Sequence, residues 1–121
     1  MAASTNANIG ALALNQQNMI SPPINGATLG FSLGAASTAI LPQNPQVQKV
    51  TFHNPGTNTL YVCQATDANG NALTAGPNPG NWEIFPGGFF VYTGNGAGAA
   101  WLAAASTGSN NPLTVAQSQT P

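Results

Sequence analysis

The sequence predicts an all-β protein: an antiparallel β-sandwich of the jelly-roll type, with about eight short strands and an extended N-terminal arm. Short runs rich in Val, Thr and aromatic residues recur after residue 27, and clusters of Gly, Pro and Asn separate them. One helix-like patch, residues 99–105, lies between Gly98 and Gly108 and is too short to indicate another fold class. The surface must be built largely from uncharged residues, because only 2% of the chain is charged.

Residues 1–26 are predicted to form the arm, and residues 27–121 a single β-sandwich domain. The arm is rich in Ala, Ser, Thr, Asn and Gln and contains the stiff pair Pro22-Pro23. Such a terminus is often a disordered tail. The alternative, which its scattered apolar residues favour, is an extended arm that orders against a neighbouring subunit. These apolar anchors are Ile9, Leu12, Leu14, Met19 and Ile20.

Eight candidate strands follow the arm. Each is a short β-rich run bounded by turn-forming residues. They span residues 28–33, 38–41, 47–53, 59–64, 82–85, 89–93, 99–103 and 113–117.

The turn sequence NPGTN at residues 54–58 predicts a first hairpin, in which His53 pairs with Thr59. This register places alternate apolar side chains on one face, which we expect to be the core face. They are Val50, Phe52, Leu60 and Val62.

The dipeptide PG at residues 86–87 fits the central positions of a type II turn and predicts a second hairpin, in which Ile84 pairs with Phe89. The predicted core-facing residues are then Trp82, Ile84, Phe89 and Val91. The opposite face carries Glu83, Phe90 and Tyr92. Two sheets with one apolar face each predict a sandwich.

A long loop of turn-forming residues, DANGNALTAGPNPG at residues 67–80, separates the two predicted hairpins. It has room for a short strand near residues 72–74. Loops of this length in compact domains are usually functional or mobile. In a protein that packs against others, this loop is expected to be a contact surface.

Three side chains carry a full charge at neutral pH: Lys49, Asp67 and Glu83. About a quarter of residues are charged in ordinary soluble domains. With one Lys and no Arg, the chain lacks the clustered cations that nucleic acids and anionic membrane surfaces require. The apolar run at residues 9–14 is too short for a membrane span or a secretory signal. We expect no nucleic-acid or membrane partner.

The residues with catalytic potential do not form a recognisable site. In the predicted hairpin, Cys63 and His53 lie ~13 Å apart along the ladder, too far for a nucleophile–base dyad. The motif DANGN, which begins at Asp67, lacks the closing Glu of a calcium loop and is better explained as a turn. We therefore expect no enzymatic activity, no metal and no cofactor.

The aromatic residues suggest one further possibility, a sugar-binding platform in which rings stack on sugars and amides bond their hydroxyls. The alternative is that the large rings fill the core or a subunit interface. The residues concerned are Tyr61, Trp82, Tyr92 and Trp101.

Three stretches resemble small virion structural proteins of tailed bacteriophages. They are VTFHNPGTNTLYVCQA at residues 50–65, IFPGGFFVY at residues 84–92 and AWLAAASTGSNNPLTV at residues 100–115. The likeness lies in hairpin and turn pieces and covers roughly the C-terminal two-thirds of the chain. It implies a β-sandwich that coats or cements a capsid, or that lies elsewhere in the particle.

The expected function is therefore that of a structural virion component, a capsid cement or decoration protein that bridges capsid subunits at the capsid surface. Its expected partners are the major capsid protein and neighbouring copies of itself, in a homo-oligomer. The alternative is a carbohydrate- or receptor-binding module of a phage fibre or tail. The candidate partner-contact residues are Ile9, Leu12, Leu14, Met19, Ile20 and Trp101.

Overall fold

The computed structural model describes residues 25–120, with residues 25–27 described only as backbone. This part of the chain contains eight β-strands and one short 3-10 turn, Asn95–Gly98. The strands are β1 (Asn25–Leu33), β2 (Thr38–Leu41), β3 (Lys49–His53), β4 (Leu60–Gln64), β5 (Trp82–Ile84), β6 (Phe89–Thr93), β7 (Trp101–Ala105) and β8 (Asn111–Ser118). All eight predicted strands are confirmed, and the helix-like patch contains β7 and no helix.

The strands form two four-stranded antiparallel sheets. The first sheet has the order β1-β8-β3-β6, and the second sheet has the order β2-β7-β4-β5. The chain thus folds as one long hairpin, pairing β1 with β8, β2 with β7, β3 with β6 and β4 with β5. This long hairpin folds back on itself, so that β3 also pairs with β8 and β4 also pairs with β7. This is the jelly-roll arrangement that the sequence predicts.

The first predicted hairpin is wrong, because β3 and β4 lie in different sheets. Both edges of β3 are occupied, by β6 and β8, and both edges of β4 are occupied, by β5 and β7. The turn after His53 therefore carries the chain from one sheet to the other. The four side chains assigned to the core are all fully buried, so their burial is confirmed although their pairing is not.

The second predicted hairpin is also wrong, since β5 belongs to the second sheet and β6 to the first. The type II turn itself is confirmed: the Gly88 N–H donates to the Phe85 carbonyl at 2.8 Å, and Gly87 has φ 79°. The assignment of faces in β6 is inverted. Phe90 and Tyr92 pack against the core, whereas Phe89 is 66% exposed and Val91 is 48% exposed.

The main core lies between the two sheets and is aliphatic except for a cluster of aromatic rings near β5 and β6. Trp101 is fully buried at the centre of this cluster, 5.0 Å from Phe52 and 5.5 Å from Tyr92 between ring centroids. Trp82 stacks on Phe90 at 4.7 Å and closes the cluster from the second sheet. These rings join the two sheets across the sandwich.

A third layer covers the second sheet. Leu73 and Ala75, from the long loop after β4, pack on Cys63, Leu102 and Ala104. Two hydrogen bonds hold the loop in place: the Leu73 N–H donates to Ala65 O, and the Ala75 N–H donates to Ser37 Oγ, both at 2.9 Å. The predicted short strand near residue 72 is a single bridge between Thr66 and Ala72. This part of the loop packs inward, in contrast to the contact surface predicted for it.

Candidate contact surface

The two outer faces of the sandwich differ. The second sheet is covered by the chain's own loop. No comparable layer within residues 25–120 covers the first sheet, whose outer face we call the open face. Its side chains alternate with the buried ones of β1, β8, β3 and β6. They are Thr28, Gly30, Ser32, Lys49, Thr51, His53, Phe89, Val91, Thr93, Pro112, Thr114, Ala116 and Ser118.

The register aligns these side chains in rows across the four strands. One row runs from Gly30 through Thr114 and His53 to Phe89. The next row runs from Thr28 to Val91, again through small residues. The open face therefore carries mostly small residues on β1 and β8, and large apolar side chains project from it on β6.

The open face is nearly free of charge. Lys49 is its one fully charged side chain among the described residues. Glu83 lies on the outer side of the second sheet, and Asp67 lies in the long loop. The three charges of the sequence therefore lie on three different parts of the exterior. A protein partner can therefore cover the open face without desolvating a cluster of ions.

Apolar exposure concentrates at the β6 edge. Among the described residues, the exposed large hydrophobic side chains are Leu29, Phe85, Phe89 and Val91. Phe85 and Phe89 flank the Pro86-Gly87 turn, and Val91 follows on the same face of β6. The imidazole of His53 stacks on Phe89, with 4.2 Å between the ring centroids and an interplanar angle of 16°. Exposed apolar side chains on one strand face, such as Phe89 and Val91, are typical of interaction sites.

The Cys–His dyad is not formed. His53 lies on the open face, whereas Cys63 is buried on the far side of the second sheet beneath the long loop. Burial raises the pKa of the Cys63 thiol, so less of it is thiolate, the reactive form. Its place suits a packing role.

Labelling of Cys63 tests whether the loop covers it. A thiol reagent at pH 8 is expected to modify the native protein on the order of a hundredfold more slowly than the urea-unfolded chain, because reaction requires local opening. Leu73→Ala removes part of the cover and should speed labelling of the native protein. Equal rates for the native and unfolded chains would show that the loop does not shield the thiol.

Asp67 organises its own turn. Its Oδ1 accepts hydrogen bonds from the backbone N–H groups of Asn71 and Asn69, both at 2.9 Å. These bonds, the one from Asn71 first, hold the pKa of the carboxyl below its ordinary value. The predicted turn role is confirmed. No group of three or more His, Cys, Asp and Glu side chains within residues 25–120 is placed to hold a metal ion.

The four aromatic residues considered for sugar binding do not form an exposed platform. Trp82, Tyr92 and Trp101 belong to the interior cluster. Tyr61 lies on the outer side of the second sheet, opposite Ala104. The interpretation of the large rings as core or interface filler therefore fits the structure, and the platform does not.

Of the candidate partner-contact residues, Trp101 has no exposed surface and donates its indole N–H to Ala97 O at 3.1 Å. It is a core residue, which corrects its assignment to a contact surface. The other candidates lie outside the described residues: Ile9, Leu12, Leu14, Met19 and Ile20. The predicted arm also lies there, apart from Asn25 and Gly26, which belong to β1.

Phe89 and Val91 are candidate contact residues that the sequence analysis assigned to the core. The signal was available in β6 (FFVYT), which carries apolar side chains on both faces. Apolar side chains on both faces are typical of strands that are buried on both sides. In the described structure the core covers one of them.

No family model and no curated protein matches this chain. Among solved structures, the crystal structure of PirA is similar over 74% of this chain and 92% of that chain, at 13% identity and a TM-score of 0.49. A chain from the Bacillus endospore appendages, which form a novel family of disulfide-linked pili, is similar over 76% of this chain and 83% of that chain. Its identity is 11% and its TM-score 0.48.

Within residues 25–120, no helix is long and apolar enough to cross a membrane.

Proposed function

We propose that this chain is a structural protein of a tailed-bacteriophage particle, a capsid cement or decoration protein that bridges capsid subunits. Its partners are the major capsid protein and neighbouring copies of itself at the capsid surface. The observation that carries the proposal is the open face, with one charged residue and an exposed apolar edge at Phe89 and Val91. Jelly rolls serve both as capsid domains and as lectins. The nearly uncharged, partly apolar open face supports the structural role.

The protein would act mechanically, as a rigid bridge between capsid subunits. A sandwich whose sheets are joined by a buried aromatic cluster transmits force across a subunit boundary with little deformation. Neutral amide, hydroxyl and methyl groups bury against a neighbour at a smaller desolvation cost than ions. Many copies on one lattice bind with high avidity although each contact is modest.

Deletion of the arm tests how the protein attaches. The truncation should remove residues 1–24, because Asn25 and Gly26 belong to β1. We expect weaker binding to particles, by about tenfold or more, because the arm's apolar residues extend the contact. Sedimentation with particles that lack the protein measures this binding. Circular dichroism and the unfolding midpoint check that the sandwich remains folded. Unchanged binding by a folded truncation would show that the arm plays no part.

The proposed location has its own test. Quantitative mass spectrometry of purified particles is expected to find many copies of the chain per particle. Particles made without it should release their DNA at a lower temperature. Absence from particles, together with saturable sugar binding on a glycan array, would overturn the proposal in favour of a carbohydrate-binding module.

A further inference from the structure

We infer that the free edge of β6 is a self-association site, at which two copies of this chain pair their β6 strands antiparallel about a two-fold axis at Val91. The two first sheets then join into one continuous eight-stranded sheet. The inference goes beyond the proposed function, because it concerns the isolated protein and requires no particle.

One edge of β6 carries backbone N–H and C=O groups that have no strand partner within residues 25–120. On one side β6 pairs with β3, and on the other it has no strand neighbour within residues 25–120. At the two ends of the ladder, the Asn54 N–H donates to Gly88 O at 3.0 Å and the Gly94 N–H to Gln48 O at 2.8 Å. Antiparallel strands alternate between bonded and non-bonded pairs. Phe90 and Tyr92 therefore bond to β3, and the peptide groups of Phe89, Val91 and Thr93 point away from the sheet.

The β6 strands of two copies are complementary to each other. With the two-fold axis at Val91, each Val91 faces Val91 of the second copy, and each Phe89 faces Thr93. All three pairs have both partners' N–H and C=O groups directed into the new ladder, so every outward group of β6 between Phe89 and Thr93 gains a partner. On the inner side of the strand, Phe90 meets Tyr92 of the second copy. On both faces of β6, the apolar surface therefore continues onto the second copy.

The edge of β6 lacks the features that keep natural edge strands from pairing with other chains. Natural edge strands avoid pairing through charged side chains, proline or bulges. β6 has no charged residue and no proline, and its pairing with β3 is regular over all five residues. Two copies also bring no like charges into direct opposition across the new ladder, which makes a second copy a compatible occupant. Three of the four exposed large hydrophobic side chains, Phe85, Phe89 and Val91, lie at or beside this edge.

The N-terminal arm is the competing occupant. It enters the sheet through β1, at the opposite edge of the first sheet from β6. In the two-fold arrangement, pairing at β6 leaves the β1 edge and the arm free for other contacts. Deleting residues 1–24 separates the two possibilities.

Sedimentation equilibrium on the full chain tests the inference. We expect a monomer–dimer equilibrium, and Val91→Lys should raise the dimer dissociation constant by ~100-fold, because it puts two ammonium groups opposite each other. Thr28→Lys is the matched control, since it adds the same charge to the same face at the opposite edge. A purely monomeric wild-type protein would overturn the inference. So would equal effects of the two lysines, or a dimer that is lost on deleting residues 1–24 and unaffected by Val91→Lys.

Disulfide trapping tests the register. Residues in a bonded antiparallel pair have Cα atoms ~5.5 Å apart, a separation that a disulfide spans. Val91→Cys should therefore form a covalent dimer on mild oxidation. Thr93→Cys, on the same strand and face, places its two thiols ~13 Å apart and should stay monomeric under reducing-agent-free electrophoresis. Native Cys63 is buried and does not compete. Equal trapping of both variants would contradict the two-fold register.

Discussion

Trp101→Ala is expected to lower the free energy of unfolding by about 4 kcal/mol, as large-to-small changes of buried aromatic residues do. The indole has no exposed surface and contacts rings from both sheets, including Phe52 at 5.0 Å and Trp82 at 5.8 Å between centroids. Its removal leaves a cavity where the sheets are joined. Folded domains of this size are stable by roughly 5–15 kcal/mol, so the loss is a large share of the total.

Urea unfolding followed by circular dichroism measures this effect without depending on the fluorescence of the substituted residue. Two variants serve as controls. Trp101→Phe keeps an aromatic ring and loses the indole hydrogen bond to Ala97 O, so it should fall between wild type and alanine. Trp82→Ala, at a half-buried position, should cost less. A loss below about 1 kcal/mol for Trp101→Ala would contradict the central place of this ring.

Asn54→Ala is expected to lower the free energy of unfolding by about 3 kcal/mol, because it removes three hydrogen bonds, one of them to the buried Ile84 carbonyl. Asn54 is only 1% exposed. Its Nδ2 donates to Asn58 O and to Ile84 O, both at 2.8 Å, and its Oδ1 accepts from the Gly56 N–H at 3.0 Å. The side chain ties the turn after β3 to the end of β5, across the two sheets.

Asn69→Ala is the matched control, since the same change at an exposed loop position should shift stability by less than ~0.5 kcal/mol. Asn54→Asp adds a pH test. The ionised carboxylate cannot donate to the Ile84 carbonyl, whereas the protonated acid can. The penalty should therefore be largest at neutral pH and shrink as pH falls through the range where the buried acid protonates. A pH-independent penalty would argue against a lost donor as the cause.

The predicted hairpins show where sequence reasoning failed. NPGTN at residues 54–58 and PG at residues 86–87 do reverse the chain, and both are local features with local causes. Which strand receives the reversed chain is a non-local matter. A hairpin and a crossover between sheets begin with the same turn chemistry. The first hairpin does not form because β6 and β8 occupy both edges of β3, and β5 and β7 occupy both edges of β4. The second does not form because β5 pairs with β4 in one sheet and β6 pairs with β3 in the other.

The inversion in β6 has a different cause. Alternation fixes which side chains share a face, and this was correct for β6 as for β3. It does not say which face is inside when both are apolar, as they are at Phe89, Phe90, Val91 and Tyr92. In β3 the polar Thr51 and His53 indicate which face is the outer one. In β6 the inner face is fixed only by packing against Trp82 and Trp101, which places Phe90 and Tyr92 inside.

The amino-acid sequence is enough to predict the positions of all eight strands, the type II turn at Pro86-Gly87, most of the core and the scarcity of charge. All of these follow from composition, period and turn chemistry within a few residues. Only tertiary contacts fix which strands pair and which face of β6 is inside. Within residues 25–120, they also place the long loop over the second sheet and no comparable layer over the first. These depend on contacts between residues far apart in the chain, whose free energies no local pattern encodes.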